Sequence, residues 1–181
     1  MKKVLLLTVA MMLVASMAFA QGGHIGLYAD VAGTDCFVVD AVPGLVFVYV
    51  IHELAPGTTA AQWRVQNNSA MSYLGFSLAP TFLMLGDPST GAAISYGACL
   101  ASPIAVGTLQ YFASGVSAPC TSLQVVPDPT AISGTIEVVD CALIKHIGTG
   151  GIAIVNSDAT CHCLIDPVEE TTWGRLKSFY D

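Results

Sequence analysis

The stretch Gly44-Leu-Val-Phe-Val-Tyr-Val-Ile-His-Glu53 carries the strongest strand signal in the chain. Most of its residues are β-branched or aromatic, and such residues favour extended backbone. The run Leu45 to Ile51 is apolar at odd and even positions alike, which predicts a central strand covered on both faces. Pro43-Gly44 precedes the segment and Pro56-Gly57 follows it, so turn-forming residues mark both ends.

Similar short apolar segments lie on both sides of this strand, separated by turn-forming residues. They predict further strands over 24–29, 62–66, 71–76, 82–85, 92–100, 104–112, 123–126, 135–139, 143–146 and 151–155. The glycines of 148–151 predict a turn between the last two. This spacing, with no helical periodicity before residue 168, predicts an all-β fold: an antiparallel β-sandwich, Ig-like or jelly-roll-like, of ten or so strands.

The first twenty residues carry an export signal. Lys2 and Lys3 supply a positive start, an apolar run extends from Val4 to about Leu13, and Ala18-Phe19-Ala20 is a small-x-small cleavage pattern. The apolar run is shorter than the roughly 20 residues that cross a bilayer. We therefore predict a cleavable signal peptide at 1–20, no membrane span after cleavage, and a secreted, periplasmic or cell-surface protein.

We divide the remaining chain into a β-sandwich domain at 21–166 and a C-terminal helical tail at 167–181. In the tail, Thr171 and Thr172 are suitable N-caps, and Trp173, Leu176, Phe179 and Tyr180 follow at roughly helical spacing. Two interpretations of this short helix remain open. It caps the sandwich with its aromatic residues, or it is a separable attachment or sorting element.

Charge excludes some classes of partner. Residues 21–181 hold four basic and thirteen acidic residues, a net charge of −9. So few cations cannot neutralise a phosphate backbone, so nucleic acid is excluded, and anionic membrane surfaces are disfavoured for the same reason. The expected partner is an extracellular protein or glycan, no cofactor is expected, and the oligomeric state is left open.

Six cysteines, an even number in an exported chain, predict three disulfides. Cys99 and Cys120 lie at the outer ends of a predicted strand pair, so we expect them to bond to each other. Cys36 and Cys141 then bond to Cys161 and Cys163, in an order that the sequence does not fix.

Cys161-His162-Cys163 also has the chemistry of a metal site. Thiolate and imidazole ligands at this density bind Zn²⁺ or Cu⁺ when the thiols are reduced. An oxidising compartment favours disulfides over metal ligation. A periplasmic metal-binding protein is thus the third of three functional hypotheses.

Catalytic motifs are incomplete. His52-Glu53 begins like a zinc-protease motif, but Pro56 stands where the second histidine is required, so we interpret the pair as a strand end that meets solvent. A secreted hydrolase whose site is assembled from distant strands, with His24, His52 or Glu53 in a pocket, is the second hypothesis. Six aromatic residues are candidates for a sugar-stacking platform, although core packing is the expected use of each: Tyr28, Tyr49, Trp63, Tyr73, Tyr96 and Tyr111.

Several segments, spread over nearly all of 21–181, together resemble a group of uncharacterised secreted bacterial proteins that are rich in β-structure. They are 26–30 (Gly-Leu-Tyr-Ala-Asp), 44–52, 96–99, 125–129, 138–141 and 168–175, which contains the Thr-Thr-Trp-Gly tail motif. The resemblance implies export and cysteine pairing and assigns no catalytic residue. The leading hypothesis is therefore a secreted or surface non-enzymatic module with a binding or structural role.

Overall fold

The computed structural model describes residues 22–161 and 163, and within them it contains strands and no helix. The all-β prediction is confirmed for this part of the chain. The strands are, in chain order, β1 (His24–Tyr28), β2 (Phe37–Val38), β3 (Gly44–Glu53), β4 (Thr58–Asn67), β5 (Ser72–Leu78), β6 (Leu83–Asp87), β7 (Gly91–Leu100), β8 (Ile104–Ala113), β9 (Thr121–Val126), β10 (Ile136–Asp140), β11 (Lys145–Gly150) and β12 (Ile152–Val155).

The strands form one open, mixed sheet in the order β2-β12-β9-β4-β10-β11-β1-β3-β8-β5, and β7 and β6 branch off from β4. The branch arises because β4 is long: its first half pairs with β10 and β7, and its second half pairs with β9. Two pairings are parallel, β1 with β11 and β2 with β12. The prediction of a wholly antiparallel arrangement is wrong at these two places, because the early strands β1 and β2 pair with strands from the end of the domain.

The sheet folds over a single hydrophobic core. Inward residues of β3 and β8, such as Val48 and Leu109, belong to the same buried cluster as Trp63 of β4 and Ile94 of β7. Trp63 also meets Phe76 of β5 edge to face, with ring centroids 6.4 Å apart. The two halves of the sheet therefore face each other, and each presents one surface outward.

The first half of strand β3 is covered on one face only, since Val48 is fully buried whereas Leu45 is 62% exposed and Phe47 45% exposed. In the second half, the consecutive residues Val50, Ile51 and His52 are all buried. The sequence prediction of cover on both faces is therefore wrong for the first half, which lies in an outer layer with the core on one side, and correct at Val50 and Ile51.

The predicted glycine turn at 148–151 is also wrong, since residues 145–150 form strand β11. A Cβ atom at Gly148 would lie 2.9 Å from a methyl carbon of Val138, and one at Gly150 would meet the backbone carbonyl of Val125. Glycine is needed here for close approach of neighbouring strands, and the backbone stays extended.

Three disulfides tie the strands together: Cys36–Cys163, Cys99–Cys141 and Cys120–Cys161. The predicted number is confirmed, and Cys36 does bond to one of the two late cysteines. The predicted Cys99–Cys120 pairing is wrong, as is the pairing of Cys141 with Cys161 or Cys163. Residues 99 and 141 meet because β7 and β10 lie on either side of β4, with Leu100 and Asp140 both opposite Thr58.

The predicted signal peptide at 1–20 and the predicted helical tail at 167–181 lie outside the described residues. Within the described part of the chain, no helix is long and apolar enough to cross a membrane.

Candidate binding surface

The outer surface of β6-β7-β4-β10-β11 carries two aligned rows of side chains, which we call the groove face. Strand register fixes the membership of each row. The first row is Leu83, Ser95, Ala60, Val139 and Lys145. The second row is Leu85, Ala93, Gln62, Glu137 and Ile147. Each row crosses five strands, so the arrangement is set by backbone pairing and does not depend on loops.

The groove face is low in the middle and high at its sides. Alanine and serine from β4 and β7 make the floor, and Leu83 and Leu85 of β6 stand 74% and 80% exposed along one side. On the other side Val139 is half-buried and Ile147 is exposed. The resulting groove has a volume of about 520 Å³. Exposed leucine and isoleucine side chains beside an alanine-rich floor are typical of a surface that binds another macromolecule.

An ion pair lies at the β10–β11 side of the groove. The Lys145 ammonium donates to Glu137 Oε2 at 2.6 Å, and the lysine side chain remains largely exposed. The hydrogen bond from Lys145 is the main reason that the pKa of Glu137 is lowered. Glu137 therefore stays ionised and holds the ammonium at the edge of the apolar floor, where the remaining donors of Lys145 face outward.

Asp128 holds the side chain of Gln62, which lines the groove. Its Oδ2 accepts from the Gln62 side-chain amide at 3.0 Å, and its Oδ1 accepts from the backbone N–H and the hydroxyl of Thr130. Burial raises the pKa of Asp128, but these hydrogen bonds outweigh it, and the pKa is lowered overall. Gly91 leaves the space for this carboxylate, because a Cβ there would lie 2.6 Å from Oδ1.

The sequence did not predict this surface. Leu83 and Leu85 alternate in a short strand, which is the one local signal that they share a face. The floor comes from β4 and β7 and the far side from β10 and β11, and only the non-sequential strand order brings them together.

The candidate hydrolase residues do not form an open catalytic group. His52 is fully buried, with its Nδ1 3.0 Å from the Tyr96 hydroxyl and its Nε2 3.1 Å from the Gly22 carbonyl. Burial lowers the pKa of His52. Glu53 accepts from the Tyr28 hydroxyl at 2.7 Å. Both polar ends of the His52 ring are therefore used within the core, and the prediction that the His52-Glu53 pair meets solvent is wrong for His52.

His24 and the candidate cysteines also make structural contacts. His24 lies opposite Glu53 and its Nδ1 is 3.0 Å from the Thr149 hydroxyl, and burial lowers its pKa. Cys161 and Cys163, two of the candidate metal ligands, are both in disulfides, so neither offers a thiolate. His162, the third candidate, lies outside the described residues.

The candidate aromatic platform is dispersed. Trp63, Tyr28, Tyr96 and Tyr111 are at most 2% exposed, which confirms core packing for these four. Tyr49 and Tyr73 are half-buried and lie on different strands, β3 and β5. Among the residues that the structure describes, no aromatic side chain lines the groove.

Comparison with solved structures identifies proteins of similar fold. A cohesin module from a family 33 glycoside hydrolase of Clostridium perfringens matches with a TM-score of 0.53 and 10% sequence identity, covering 76% of this chain and 99% of the module. The third cohesin ScaC of Acetivibrio cellulolyticus, in complex with the ScaB dockerin, matches with a TM-score of 0.47 and 11% identity, covering 73% and 97%. The seventh ScaB type I cohesin of Pseudobacteroides cellulosolvens matches with a TM-score of 0.45 and 10% identity, covering 75% and 93%.

The likeness to the Clostridium perfringens module shows a common fold and, at 10% identity, nothing about binding or activity. No protein-family model matches the sequence, and no curated protein matches it.

Proposed function

We propose that this protein is an extracytoplasmic, non-enzymatic module that binds a protein partner through the groove face. The observation that carries the proposal is the pair of five-residue rows, in which an alanine-rich floor lies between exposed Leu83 and Leu85 on one side and half-buried Val139 with exposed Ile147 on the other.

The chemistry of the groove favours a protein over a glycan. A glycan is held by stacking on aromatic rings and by dense polar contacts, and the residues that line the groove include no aromatic ring. Apolar side chains of a partner fit onto Ala60 and Ala93, where little side-chain volume opposes them. Lys145 supplies a charged hydrogen-bond donor at the rim, so we expect a partner with apolar residues flanked by an acidic group.

The three disulfides and the predicted signal peptide support an extracytoplasmic location. The likeness to a cohesin module supports the fold on which the groove face is built.

A site-specific photo-crosslinking experiment tests the proposal. A photoreactive phenylalanine derivative is placed at residue 85 of the protein comprising residues 21–181, which is incubated with the extracellular fraction of the source culture and irradiated. We expect a covalent adduct of defined mass, because residue 85 is on the exposed side of the groove. Ala93→Arg in the same protein should remove the adduct by filling the floor.

The matched control places the same photoreactive residue at 45, where another leucine is 62% exposed on the opposite surface. It should give no intermolecular adduct. With the partner identified, Leu83→Ser combined with Leu85→Ser should weaken binding at least about tenfold, since each leucine contributes on the order of 1–2 kcal/mol when buried. Binding that survives both groove changes, or an adduct from residue 45 alone, would exclude the groove face as the binding surface.

A further inference from the structure

The outer surface of β3, β8 and β5, which we call the β3 face, is a second apolar surface, on the side of the molecule opposite the groove face. Strand register forms three rows across it, which are Leu45-Phe112-Ser72, Phe47-Gln110-Gly75 and Tyr49-Thr108-Ser77. Residues 44–52, 72–78 and 104–113 contain no aspartate, glutamate, lysine or arginine. A surface of this extent without charge, on a strongly acidic protein, is typical of a surface that is covered in the native state.

The β3 face also has a pocket of about 330 Å³ beside Tyr49. Its floor consists of small residues, Ala105, Gly107 and Ala79, and Val31 and Leu78 contribute apolar walls. The volume lies at the lower end of the range for ligand pockets, about 300–1,000 Å³. A side chain with an apolar ring fits this combination of small floor and apolar wall.

The described chain ends close to this face. Cys163, its last residue, is bonded to Cys36 with the two Cα atoms 6.2 Å apart. The neighbouring Asp35 carbonyl accepts from the Ala29 N–H at 2.6 Å, and Ala29 follows Tyr28, which is paired with Tyr49 of β3. The Cys36–Cys163 bridge therefore holds the end of the described chain beside β1, one strand away from the Tyr49 row.

The first half of β3 is open on the same side. Strand β1 ends opposite Tyr49, so among the described residues 44–48 pair with β8 and with no strand on the other side. The exposed side chains of Leu45 and Phe47 belong to this half.

Residues 164–181 have the length and composition to cover the face. They include seven large apolar side chains among eighteen residues, namely Leu164, Ile165, Val168, Trp173, Leu176, Phe179 and Tyr180. Eighteen residues span about 27 Å as a helix and about 60 Å when extended. A ten-residue strand such as β3 is about 33 Å long, so the segment reaches the whole face from Cys163 in either conformation.

We propose that residues 164–181 lie across the β3 face of their own chain, with an aromatic side chain of the segment, Trp173 in particular, in the pocket beside Tyr49. The segment covers the uncharged surface, and the Cys36–Cys163 bridge sets its starting point. This inference does not depend on the groove face being a binding site.

Tryptophan fluorescence tests the inference, because the chain has two tryptophans and the other, Trp63, is fully buried. Acrylamide quenching of the protein comprising residues 21–181, minus the signal of its Trp173→Phe variant, reports the exposure of Trp173. We expect Trp173 to be protected in the wild type. Phe47→Lys places a charge on the β3 face at an exposed position, and the quenching constant of Trp173 should rise about threefold or more as the docked population is lost.

Leu85→Lys is the matched control, because it makes the same change at an exposed position of the groove face. It should leave the quenching of Trp173 unchanged. The inference is wrong if Trp173 is as accessible in the wild type as in Phe47→Lys, which would leave the segment free for attachment. It is equally wrong if only Leu85→Lys exposes Trp173. A dimer seen by light scattering, with Trp173 accessible in both dimer and monomer, would show that a second copy covers the β3 face instead.

Discussion

Asp40 shows how a single buried carboxylate joins three separate segments. It is 1% exposed, its Oδ1 accepts from the Gly115 N–H at 2.6 Å, and its Oδ2 accepts from the Ser117 N–H at 3.1 Å. The side chain of Asn156 in turn bonds to the backbone N–H and carbonyl of Asp40 and to the carbonyl of Ser117. The loops after β2, β8 and β12 are held together by these two side chains.

We expect Asp40→Ala to lower the free energy of unfolding by roughly 2–3 kcal/mol, because it leaves the buried N–H of Ser117 and the part-buried N–H of Gly115 without an acceptor. Urea denaturation at pH 7 measures the change. Asp35→Ala, which removes an exposed carboxylate, serves as the control and should cost less than about 1 kcal/mol. Equal losses of unfolding free energy in the two variants would show that the hydrogen bonds of Asp40 stabilise the fold no more than an exposed carboxylate does.

At the scale of the strand, the Cys99–Cys141 bridge ties the two strands that flank β4 on the groove face. Gly57 leaves room for the bridge, since a Cβ there would lie 2.7 Å from the Cys141 sulfur. The bridge closes a loop with a sequence separation of 42, and Cys120–Cys161 closes one of 41. Loops of equal size make the two bridges a natural pair for comparison.

Replacing both Cys99 and Cys141 by alanine should lower the free energy of unfolding by about 4 kcal/mol, since the unfolded chain regains the entropy of an open loop. It should also speed amide hydrogen exchange in β7 and β10. Alanine at both Cys120 and Cys161 should cost a similar free energy but leave exchange in these two strands unchanged. If both double variants loosen β7 and β10 equally, the first bridge has no particular role in holding the groove.

Local signals predicted most strands but not their partners. The segments around β1, β3, β7 and β8 were placed within one or two residues, because their apolar and β-branched composition acts locally. Strand β2, only two residues long, gave no such signal and was missed. The glycines of β11 predicted a turn, although the structure uses them for close approach to Val138 and Val125.

The groove face and the Cys99–Cys141 pairing could not be predicted from the sequence for the same physical reason. Both depend on β4 pairing with β7 and β10, which are distant in the chain and are chosen by packing of the whole core. Trp63, at the centre of β4, was predicted to face inward and does so. No local sequence pattern indicates which strands pair with β4 on either side.

At the scale of the whole molecule, ionisation predicts a loss of stability in acid. Burial raises the pKa of Asp40, Asp87 and Asp128, but hydrogen bonds outweigh it and each pKa is lowered. Side-chain hydrogen bonds dominate at four further carboxyls, whose pKa values are also lowered: Asp30, Glu137, Asp140 and Asp158. Burial lowers the pKa of His24 and His52.

Each of these groups has a lower pKa in the folded state than in the unfolded state, so each contributes stability above its unfolded pKa and loses it as the pH falls. We expect the free energy of unfolding to decline first below about pH 6.5, where unfolded histidine gains a proton, and more steeply below about pH 4, where unfolded carboxylates do. Urea denaturation between pH 7.5 and 3, with the pH values chosen around these two points, measures the curve. A free energy of unfolding that rises as the pH falls through this range would show that folding raises these pKa values and does not lower them.

The parallel pairings at the two ends of the domain have a consequence for how the chain matures. Strand β1 pairs with β11 and β2 pairs with β12. Cys36 bonds to Cys163, which lies 127 residues later in the chain. A chain that is made from its N-terminus can form the β3–β8–β5 layer early, but its first two strands keep an open edge until β11 and β12 have been synthesised. Those exposed edges are templates for wrong pairing with other chains. We therefore expect β1 and β2 to reach their native pairing only after nearly the whole chain has been made.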